Sequence, residues 1–410
     1  MKIGGITFWW SKNNYGQVLQ CYALQKIFQR EGHDPFLIRF GGNSVPKKRT
    51  KADVCISLFR RMLKCLNPMA LTKYLRSRRA RNFAKIERSR ALAFESEDRR
   101  DFDGFRATNI RVSERRYKSL EELLSDPPVA DIYAVGSDVV WSTENNVFGD
   151  WHRAMFLDFG SAGTPRISYA ASFGASDFGK EYLSAIAPHL KKFSAVSVRE
   201  NTGVEICRKA GRTDAAHVLD PTCLLDMDAY LEVAAAVPSM REQKCFFFYG
   251  LNFDEADDVH YAAQKDFCRS RGCRFVATLS DGMNLAYDRL PGAEYAFDSI
   301  PEWLAHYRDS EYVVTNSFHG VVFAVLFEKQ FLLLPLKGRY AVLNARPNSF
   351  LFSLGLSDRI YKGGDFSAAM DAPIDWASVR EKLSALRERS LEFLRTALAK
   401  CEEEIRKGKS

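Results

Sequence analysis

The stretch Glu311–Pro335, EYVVTNSFHGVVFAVLFEKQFLLLP, decides the fold of this chain. It predicts a buried strand at Tyr312–Thr315, a polar turn at 316–320, an apolar helix over Val321–Phe327 and a second buried strand at Phe331–Leu334. Strand, turn, helix and strand in this order form a parallel crossover unit. The stretch therefore predicts a parallel α/β sheet.

The turn of this unit brings together a hydroxyl (Ser317), an imidazole (His319) and a glycine (Gly320) that lets a ligand approach closely. Ligands of parallel sheets bind at the carboxyl ends of strands, where the next helix points its free N–H groups outward. An isolated histidine at such a turn can also simply cap the helix. The flanking serine and glycine favour a ligand site.

Alternation of strands and helices extends over most of the chain. It begins with a strand at 2–8, a helix at 17–30 and a strand at 35–40, and it restarts at Cys245. We therefore predict the α/β class, with two facing Rossmann-like domains split near Val237–Lys244. The predicted N-terminal domain is 1–236, the C-terminal domain is 245–360, and a long charged amphipathic helix follows at 373–407.

One segment breaks this alternation and is strongly basic. Apolar residues at helical spacing among Lys and Arg predict a helical insertion over about 41–116. Between Lys47 and Arg90 there are 15 Lys or Arg and two acids, a local excess of +13 against +8 for the whole chain. Such a segment can bind nucleic acid or anionic lipid, or it can be a solvated face.

Composition limits the class of protein. The chain has 410 residues, 46% hydrophobic and 27% charged, as in ordinary globular proteins, and no window suits a membrane span. The N-terminus runs straight into a strand and lacks a signal-peptide pattern. The nine cysteines lack zinc-ligand spacing, so we expect free thiols in a reducing cytoplasm and no metal.

Several other predicted strands end in polar turns that carry candidate site residues. A doubly wound sheet places such strand ends on one edge, and two facing domains would line one cleft with them. Arg199 can offer a bidentate fork to a carboxylate or phosphate, or it can be a surface arginine. Asp138 can orient or deprotonate a hydroxyl, or cap a helix, and we interpret Asp220, before Pro221, as structural. Neither a GxGxxG motif nor a Walker lysine occurs.

Taken together, these turns resemble the polysaccharide pyruvyl transferase family over about residues 1–355. One departure is Val139, where many members of this subgroup carry Gln. The matching pieces, in the expected order, are Asn14–Gln25 (NYGQVLQCYALQ), Gly136–Trp141 (GSDVVW), Ser168–Gly174 (SYAASFG), Ser197–Glu200 (SVRE), Leu219–Thr222 (LDPT) and Thr315–Gly320 (TNSFHG).

The resemblance implies a GT-B-like architecture, in which the C-terminal helix packs back on the N-terminal domain. It also implies transfer of an enolpyruvyl unit from phosphoenolpyruvate to two hydroxyls of a sugar, leaving a pyruvate ketal. The catalytic candidates are His319, Arg199 and Asp138. The candidates for substrate binding are Asn14, Tyr15, Gly16, Ser137, Glu200, Ser317 and Gly320.

The chemistry suits these residue types. Phosphoenolpyruvate brings a phosphate and a carboxylate, for which an arginine and a helix N-terminus are natural anchors. Protonation of its methylene needs an acid near neutral pKa, and histidine is the usual choice. This scheme requires no cofactor.

Two other classes remain open. A glycosyltransferase of the GT-B type would use a nucleotide sugar in the same fold. A non-catalytic module would use the basic insertion to hold anionic lipid or nucleic acid. We expect no nucleic acid, because Phe59, Tyr74 and Phe83 are too sparse for a base-stacking surface. The favoured partners are phosphoenolpyruvate and a sugar or lipid-linked glycan, with a cytoplasmic protein touching the inner membrane face through the insertion.

Overall fold

Alternating apolar strands and helices build two separate parallel sheets. The structure is a computed structural model, and it describes residues 1–41, 99–143, 148–280 and 290–408. Most of the predicted basic insertion, including its second helical stretch at 70–96, lies outside the described residues. The two sheets confirm the predicted α/β class with two Rossmann-like domains.

The first sheet has seven strands in the order β3-β2-β1-β4-β5-β6-β7, all parallel to their neighbours. Its inner strands are apolar on both faces, as expected when helices cover both sides. In chain order the strands are Lys2–Ile6 (β1), Asp34–Phe40 (β2), Val112–Tyr117 (β3), Ile132–Val135 (β4), Arg166–Ala171 (β5), Ala195–Val198 (β6) and Ala216–His217 (β7).

The helices associated with this sheet are Tyr15–Arg30 (α1), Phe102–Asn109 (α2), Leu120–Ser125 (α3), Asp150–Met155 (α4), Lys180–Leu190 (α5), Asn201–Lys209 (α6) and Met227–Ala234 (α7). Helix α1 begins where the Asn14 side chain accepts a hydrogen bond from Gln17 N. It ends before Gly32, which adopts a φ of +81° that suits glycine.

The second sheet has five strands in the order β10-β9-β8-β11-β12, again all parallel. These strands are Cys245–Gly250 (β8), Arg274–Leu279 (β9), Glu294–Tyr295 (β10), Tyr312–Thr315 (β11) and Gln330–Leu333 (β12). The remaining helices are Tyr261–Ser270 (α8), Ile300–Asp309 (α9), Phe318–Leu326 (α10), Ala345–Leu354 (α11), Phe366–Asp371 (α12) and Trp376–Gly408 (α13).

In each sheet the order in which successive strands are added reverses at one place, between β1 and β4 in the first sheet and between β8 and β11 in the second. The crevice at such a switch point is the usual ligand position of this architecture. Side chains tie the strands together there: Thr7 Oγ1 donates to Ser137 O at 2.5 Å, and the Asn316 amide exchanges two hydrogen bonds with the backbone of Leu251. The candidate turns at 136–138 and 316–320 thus follow the switch-point strands β4 and β11.

Two local predictions are wrong. Helix α10 begins at Phe318 instead of Val321, so His319 and Gly320 lie in its first turn, and Ser317 is the N-cap. Val112–Tyr117, predicted to be part of a helical insertion, is an edge strand that pairs with β2. Alternating charges in VSERRY fit a strand with one solvated face, which is common at sheet edges.

The C-terminal helix α13 runs along the first domain. Lys400 Nζ donates to Ser194 O at 2.6 Å, Arg395 forms an ion pair with Glu31, and Ser390 Oγ accepts a hydrogen bond from Leu219 N. The predicted domain division at 237–244 lies between the last strand of the first sheet and the first strand of the second, and it stays a prediction. In the part of the chain that the structure describes, no helix has the length and apolar character to cross a bilayer.

Candidate functional site

Asp220 lies at the centre of the candidate site, 1% exposed. Its Oδ2 accepts hydrogen bonds from Ser137 Oγ at 2.6 Å and Arg199 Nη1 at 2.9 Å. Its Oδ1 accepts from the backbone N and the Oγ1 of Thr222. Burial alone would raise the pKa of Asp220, but nearby His319, Arg199 and Ser137 outweigh it and hold that pKa well below its usual range. Asp220 is therefore ionised at neutral pH.

Asp220 has the structural role that we expected, and it has further contacts beyond that role. The motif Leu219–Thr222 does form a tight turn, in which Asp220 caps a short 3-10 helix at Pro221–Cys223. The same carboxylate also joins Arg199 to His319, which come from different sheets. Sequence patterns could not reveal this, because His319 lies about 100 residues further along the chain.

Arg199 presents unused hydrogen-bond donors inside the protein. It is 4% exposed, and its Nη1 is occupied by Asp220 and Ser137. Its Nε and Nη2 are buried and make no hydrogen bond within the described residues. The guanidinium carbon lies 4.5 Å from the centroid of the Phe318 ring, which fixes its plane. Nε and Nη2 form one edge of the guanidinium, which can hold a carboxylate or phosphate in two parallel hydrogen bonds.

His319 extends from the second domain into the first. Its Nε2 lies 3.5 Å from Asp220 Oδ2 and makes no hydrogen bond among the described residues. On the other side, the ring packs against Gly16 in the first turn of α1, where a Cβ would lie 2.1 Å from His319 Nδ1. The imidazole is thus held between two elements of the first domain, and the two predicted turns meet here.

Asp138 follows β4 and is 7% exposed. Its φ of +80° is unusual for a residue other than glycine, and its Oδ1 accepts a hydrogen bond from Val139 N at 2.8 Å. Such backbone strain concentrates at functional sites. Its charge acts on Cys21 and on Arg346, which places it at the edge of the same cluster.

Glu200 is fully buried and supports the loop after β5. Its Oε1 accepts hydrogen bonds from Ser172 Oγ, Phe173 N and Gly174 N. Its Oε2 is buried without a hydrogen-bond partner in the described residues. Only this second oxygen remains available to a ligand hydroxyl.

Four other candidates for substrate binding have structural contacts. Asn14 caps α1, and Tyr15 is buried, stacks on Trp303 with ring centroids 4.9 Å apart and donates its hydroxyl to Asp298 O. Gly320 is required by the fold itself, since a Cβ there would lie 2.1 Å from Thr315 Oγ1. Ser317 caps α10 through its backbone position, and its side chain makes no capping hydrogen bond. The role of these four residues in substrate binding stays a prediction.

Sequence reasoning missed Arg346, near the start of α11. Its Nε is buried without a hydrogen-bond partner among the described residues. Burial and the charge of Arg199 lower the pKa of Arg346 to about 10, while Asp138, Glu200 and Asp220 oppose this. The flanking sequence, LNARPNSF, carries no motif that could have identified it.

Two open clefts are lined by residues outside this cluster. One of about 700 Å³ is lined by Arg241, Lys244 and Lys329 at the amino ends of β8, β11 and β12, the edge opposite to the candidate site. Another, of about 160 Å³, lies at the carboxyl ends beside Asn316 and Lys337. The second is adjacent to the turn that carries Ser317 and His319. Within the described ranges, no group of three or more His, Cys, Asp or Glu is arranged to hold a metal ion.

The sequence model of the polysaccharide pyruvyl transferase family matches residues 14–337. The chain therefore belongs to this family, as its motifs predicted, and it is a transferase of polysaccharide biosynthesis. No curated protein sequence matches it.

Several solved structures have a similar fold at very low sequence identity. The UDP-GlcNAc 2-epimerase from Neisseria meningitidis bound to UDP-GlcNAc has a TM-score of 0.46 and 9% identity, covering 98% of this chain and 100% of that chain. The UDP-GlcNAc 2-epimerase from Methanocaldococcus jannaschii in complex with UDP-GlcNAc and UDP has a TM-score of 0.49, 11% identity and 93% coverage of both chains. Arabidopsis thaliana UGT89C1 has a TM-score of 0.43 and 11% identity, covering 99% of this chain and 98% of that chain.

Proposed function

We propose that the protein transfers the enolpyruvyl unit of phosphoenolpyruvate to two hydroxyls of a sugar in a cell-surface polysaccharide or its lipid-linked precursor, forming a pyruvate ketal. The observation that carries the proposal is the free Nε and Nη2 edge of buried Arg199, directly beside the His319–Asp220 pair. An anion-binding edge next to an acid/base group is what this donor requires.

In this reaction one C–H bond, two C–O bonds and one phosphate O–H bond form, while the C=C double bond becomes single and one C–O bond and two sugar O–H bonds break. His319 gives a proton to the methylene carbon of the donor, which becomes a methyl group. The first sugar hydroxyl attacks C2, phosphate leaves, and the second hydroxyl closes the ketal ring. The two hydroxyls release two protons: one restores His319, and the other leaves with phosphate.

Asp220 acts on His319 as a positioning residue. Four hydrogen bonds fix its carboxylate, and its depressed pKa keeps it negative throughout the neutral range. A fixed charge 3.5 Å from Nε2 orients the imidazole. Asp138, on the strained turn after β4, is the candidate that orients an acceptor hydroxyl.

Ligand access requires the two domains to separate. His319 is 7% exposed and packs between Gly16 and Asp220, with its Nε2 buried beside the Asp220 carboxylate. We infer that opening withdraws His319 from the first domain and that closure on the substrates returns it, as in other enzymes that exclude water during transfer.

The decisive experiment incubates the protein with phosphoenolpyruvate and a panel of lipid-linked glycans. Released phosphate and pyruvylated product are both measured. His319→Ala should reduce turnover by about 10²–10⁴-fold. The matched control is His260→Asn, because His260 has a left-handed φ of +49° that asparagine tolerates. Product from a panel of nucleotide sugars, without use of phosphoenolpyruvate, would support the glycosyltransferase alternative.

We also propose that the basic segment, Lys47–Arg90, brings the enzyme to the cytoplasmic membrane face where lipid-linked acceptors lie. This rests on its +13 charge excess in the sequence alone. Basic residues near an anionic leaflet contribute about 1 kcal/mol each. Salt-sensitive co-sedimentation with anionic vesicles, and none with neutral vesicles, is expected. Absence of binding to both would overturn this part.

A further inference from the structure

Two arginines from different domains lie near Phe318: Arg199 is 4.5 Å from the Phe318 ring, and Arg346 lies one helical turn before Phe350, whose ring centroid is 6.1 Å from that of Phe318. Arg199 follows β6 of the first domain, and Arg346 lies near the start of α11 in the second. Together they leave three buried nitrogens without a hydrogen-bond partner in the described residues: Nε and Nη2 of Arg199, and Nε of Arg346. Buried donors are almost always satisfied in folded proteins, so this group of donors indicates a missing acceptor.

The nearby carboxylates do not supply this acceptor. The Asp220 carboxylate already accepts hydrogen bonds from Ser137, Arg199 and Thr222. Oε1 of Glu200 accepts hydrogen bonds from the loop after β5. Arg346 takes part in none of the ion pairs within the described residues, although Asp138, Glu200 and Asp220 are near enough for their charges to act on it. The strongest charge effect on Arg346 is the repulsion from Arg199. An anion between the two arginines would relieve this repulsion.

We propose that Arg346 is a second donor-binding arginine, which holds the phosphate of phosphoenolpyruvate while Arg199 holds its carboxylate. This assignment rests on the proposed function. It names a residue that the sequence motifs do not contain.

The surroundings of the two arginines indicate which of them binds the carboxylate of the donor and which binds the phosphate. Arg199 is locked by Asp220 on one side and by the Phe318 ring on its face, and its free Nε and Nη2 edge matches a planar carboxylate. Arg346 belongs to the domain that presents the N-terminus of α10, and Phe318 of α10 lies 6.1 Å from Phe350 of α11, measured between ring centroids. A helix N-terminus binds phosphate well.

The donor would then bridge the two domains, with its carboxylate on the first and its phosphate on the second. Binding of the donor across the two domains would favour their closure, because each domain contributes one charged partner. It also places C2 and the methylene carbon between the arginines, next to His319.

The test measures the Kd of phosphoenolpyruvate by calorimetry for the wild type and for Arg346→Gln, Arg346→Lys and Arg199→Lys. Pyruvate and inorganic phosphate serve as separate competitors. Removing one charged hydrogen bond should raise Kd by about 10- to 100-fold. Arg346→Gln should weaken phosphate competition and leave pyruvate competition unchanged, whereas Arg199→Lys should do the reverse. Arg346→Lys keeps the charge, and therefore the fold, and should have intermediate affinity.

The control is Arg269→Gln, an exposed arginine of α8 whose ion-pair partner Asp266 lies on the same helix. If the wild type binds phosphoenolpyruvate and Arg346→Gln binds it equally well, the assignment of Arg346 is overturned and the proposed function stands. If Arg346→Gln weakens both competitors equally, the division between carboxylate and phosphate is wrong. If the folded wild type binds no phosphoenolpyruvate, the proposed function itself fails.

Discussion

The imidazole of His319 lies directly against the backbone of Gly16, so closely that a Cβ at residue 16 would stand 2.1 Å from Nδ1. Real Cβ atoms do not approach other atoms this closely. The glycine of the first domain and the histidine of the second are therefore parts of one contact between the domains.

This contact predicts the effect of Gly16→Ala. The added methyl group must displace His319, and a misplacement of about 1 Å can cost about 10²-fold in rate. Alanine is also the better helix former by about 0.5–1 kcal/mol, so α1 itself should not weaken. We expect a loss of turnover of at least this size with an unchanged or higher melting temperature.

The control for this variant is Gly5→Ala in β1, where a Cβ would make only an ordinary 3.6 Å contact with Phe36 O. Turnover of Gly16→Ala at the level of this control would show that the ring is not held by Gly16. A crystal structure of Gly16→Ala with His319 in place would lead to the same conclusion.

Much of this arrangement could be predicted from local sequence. Strands β6 and β11 begin and end where the largely apolar runs predicted, because a parallel strand buried on both faces is mostly apolar. The turns after these strands therefore identified Arg199 and His319. Edge strand β3 was missed because one solvated face gives it the charge pattern of a surface segment.

The central role of Asp220 and the presence of Arg346 could not be predicted in this way. Both depend on which strand ends meet when the two domains face each other, and no local pattern contains that information. The sequence also did not indicate that Gly320 gives room to Thr315, and its approach to a ligand stays a prediction. Local propensity determines elements, whereas contacts between domains determine which polar side chains share a site.

Arg199→Ala should reduce stability as well as activity. The Arg199–Asp220 pair is buried, with side chains 1% and 0% exposed. Removing the cation leaves a buried carboxylate less compensated, which typically costs about 3–5 kcal/mol. We therefore expect Arg199→Ala to lose transfer and also to have a lower free energy of unfolding. Urea unfolding of Arg199→Ala, Asp220→Asn and the double variant measures the coupling between the two side chains.

In this double-mutant cycle, the variant carrying both Arg199→Ala and Asp220→Asn should be more stable than Arg199→Ala alone, because no unpaired charge remains. Arg199→Lys, which retains a cation, should lose activity with a smaller loss of stability. Independent, additive effects of the two substitutions would contradict a direct ion pair.

His306 predicts a pH dependence of stability. It is buried, and its Nε2 lies 3.3 Å from Asp298 Oδ1. Burial alone would lower its pKa, but the hydrogen bonds and charges of Asp298 and, after it, Cys245 outweigh burial and raise the pKa to about 9. The folded value exceeds the unfolded value of about 6.5, so this contribution is complete below pH 6.5 and is lost as the pH rises through 9.

The difference between these pKa values corresponds to about 3 kcal/mol at most. Lys329 acts in the opposite direction at higher pH, because burial lowers its pKa to about 8. In the window from pH 6.5 to 8, Lys329 begins to titrate in the wild type and in Asp298→Asn alike, so the difference between their slopes reports His306. The free energy of unfolding of the wild type should fall across this window, and that of Asp298→Asn should stay nearly flat. Equal slopes for both proteins would exclude the His306–Asp298 pair as the cause.

The C-terminal helix should stabilise the loop that holds Asp220. Ser390 of α13 is 2% exposed, and its Oγ accepts a hydrogen bond from Leu219 N at 3.0 Å, one residue before Asp220. Ser390→Ala leaves this buried N–H without a partner, at a cost of about 1–3 kcal/mol. The matched control is Ser384→Ala, an exposed serine on the same helix. We expect only Ser390→Ala to lower the melting temperature and to speed amide exchange at Leu219. Slow exchange at Leu219 in Ser390→Ala would show that the loop holds Asp220 without help from the helix.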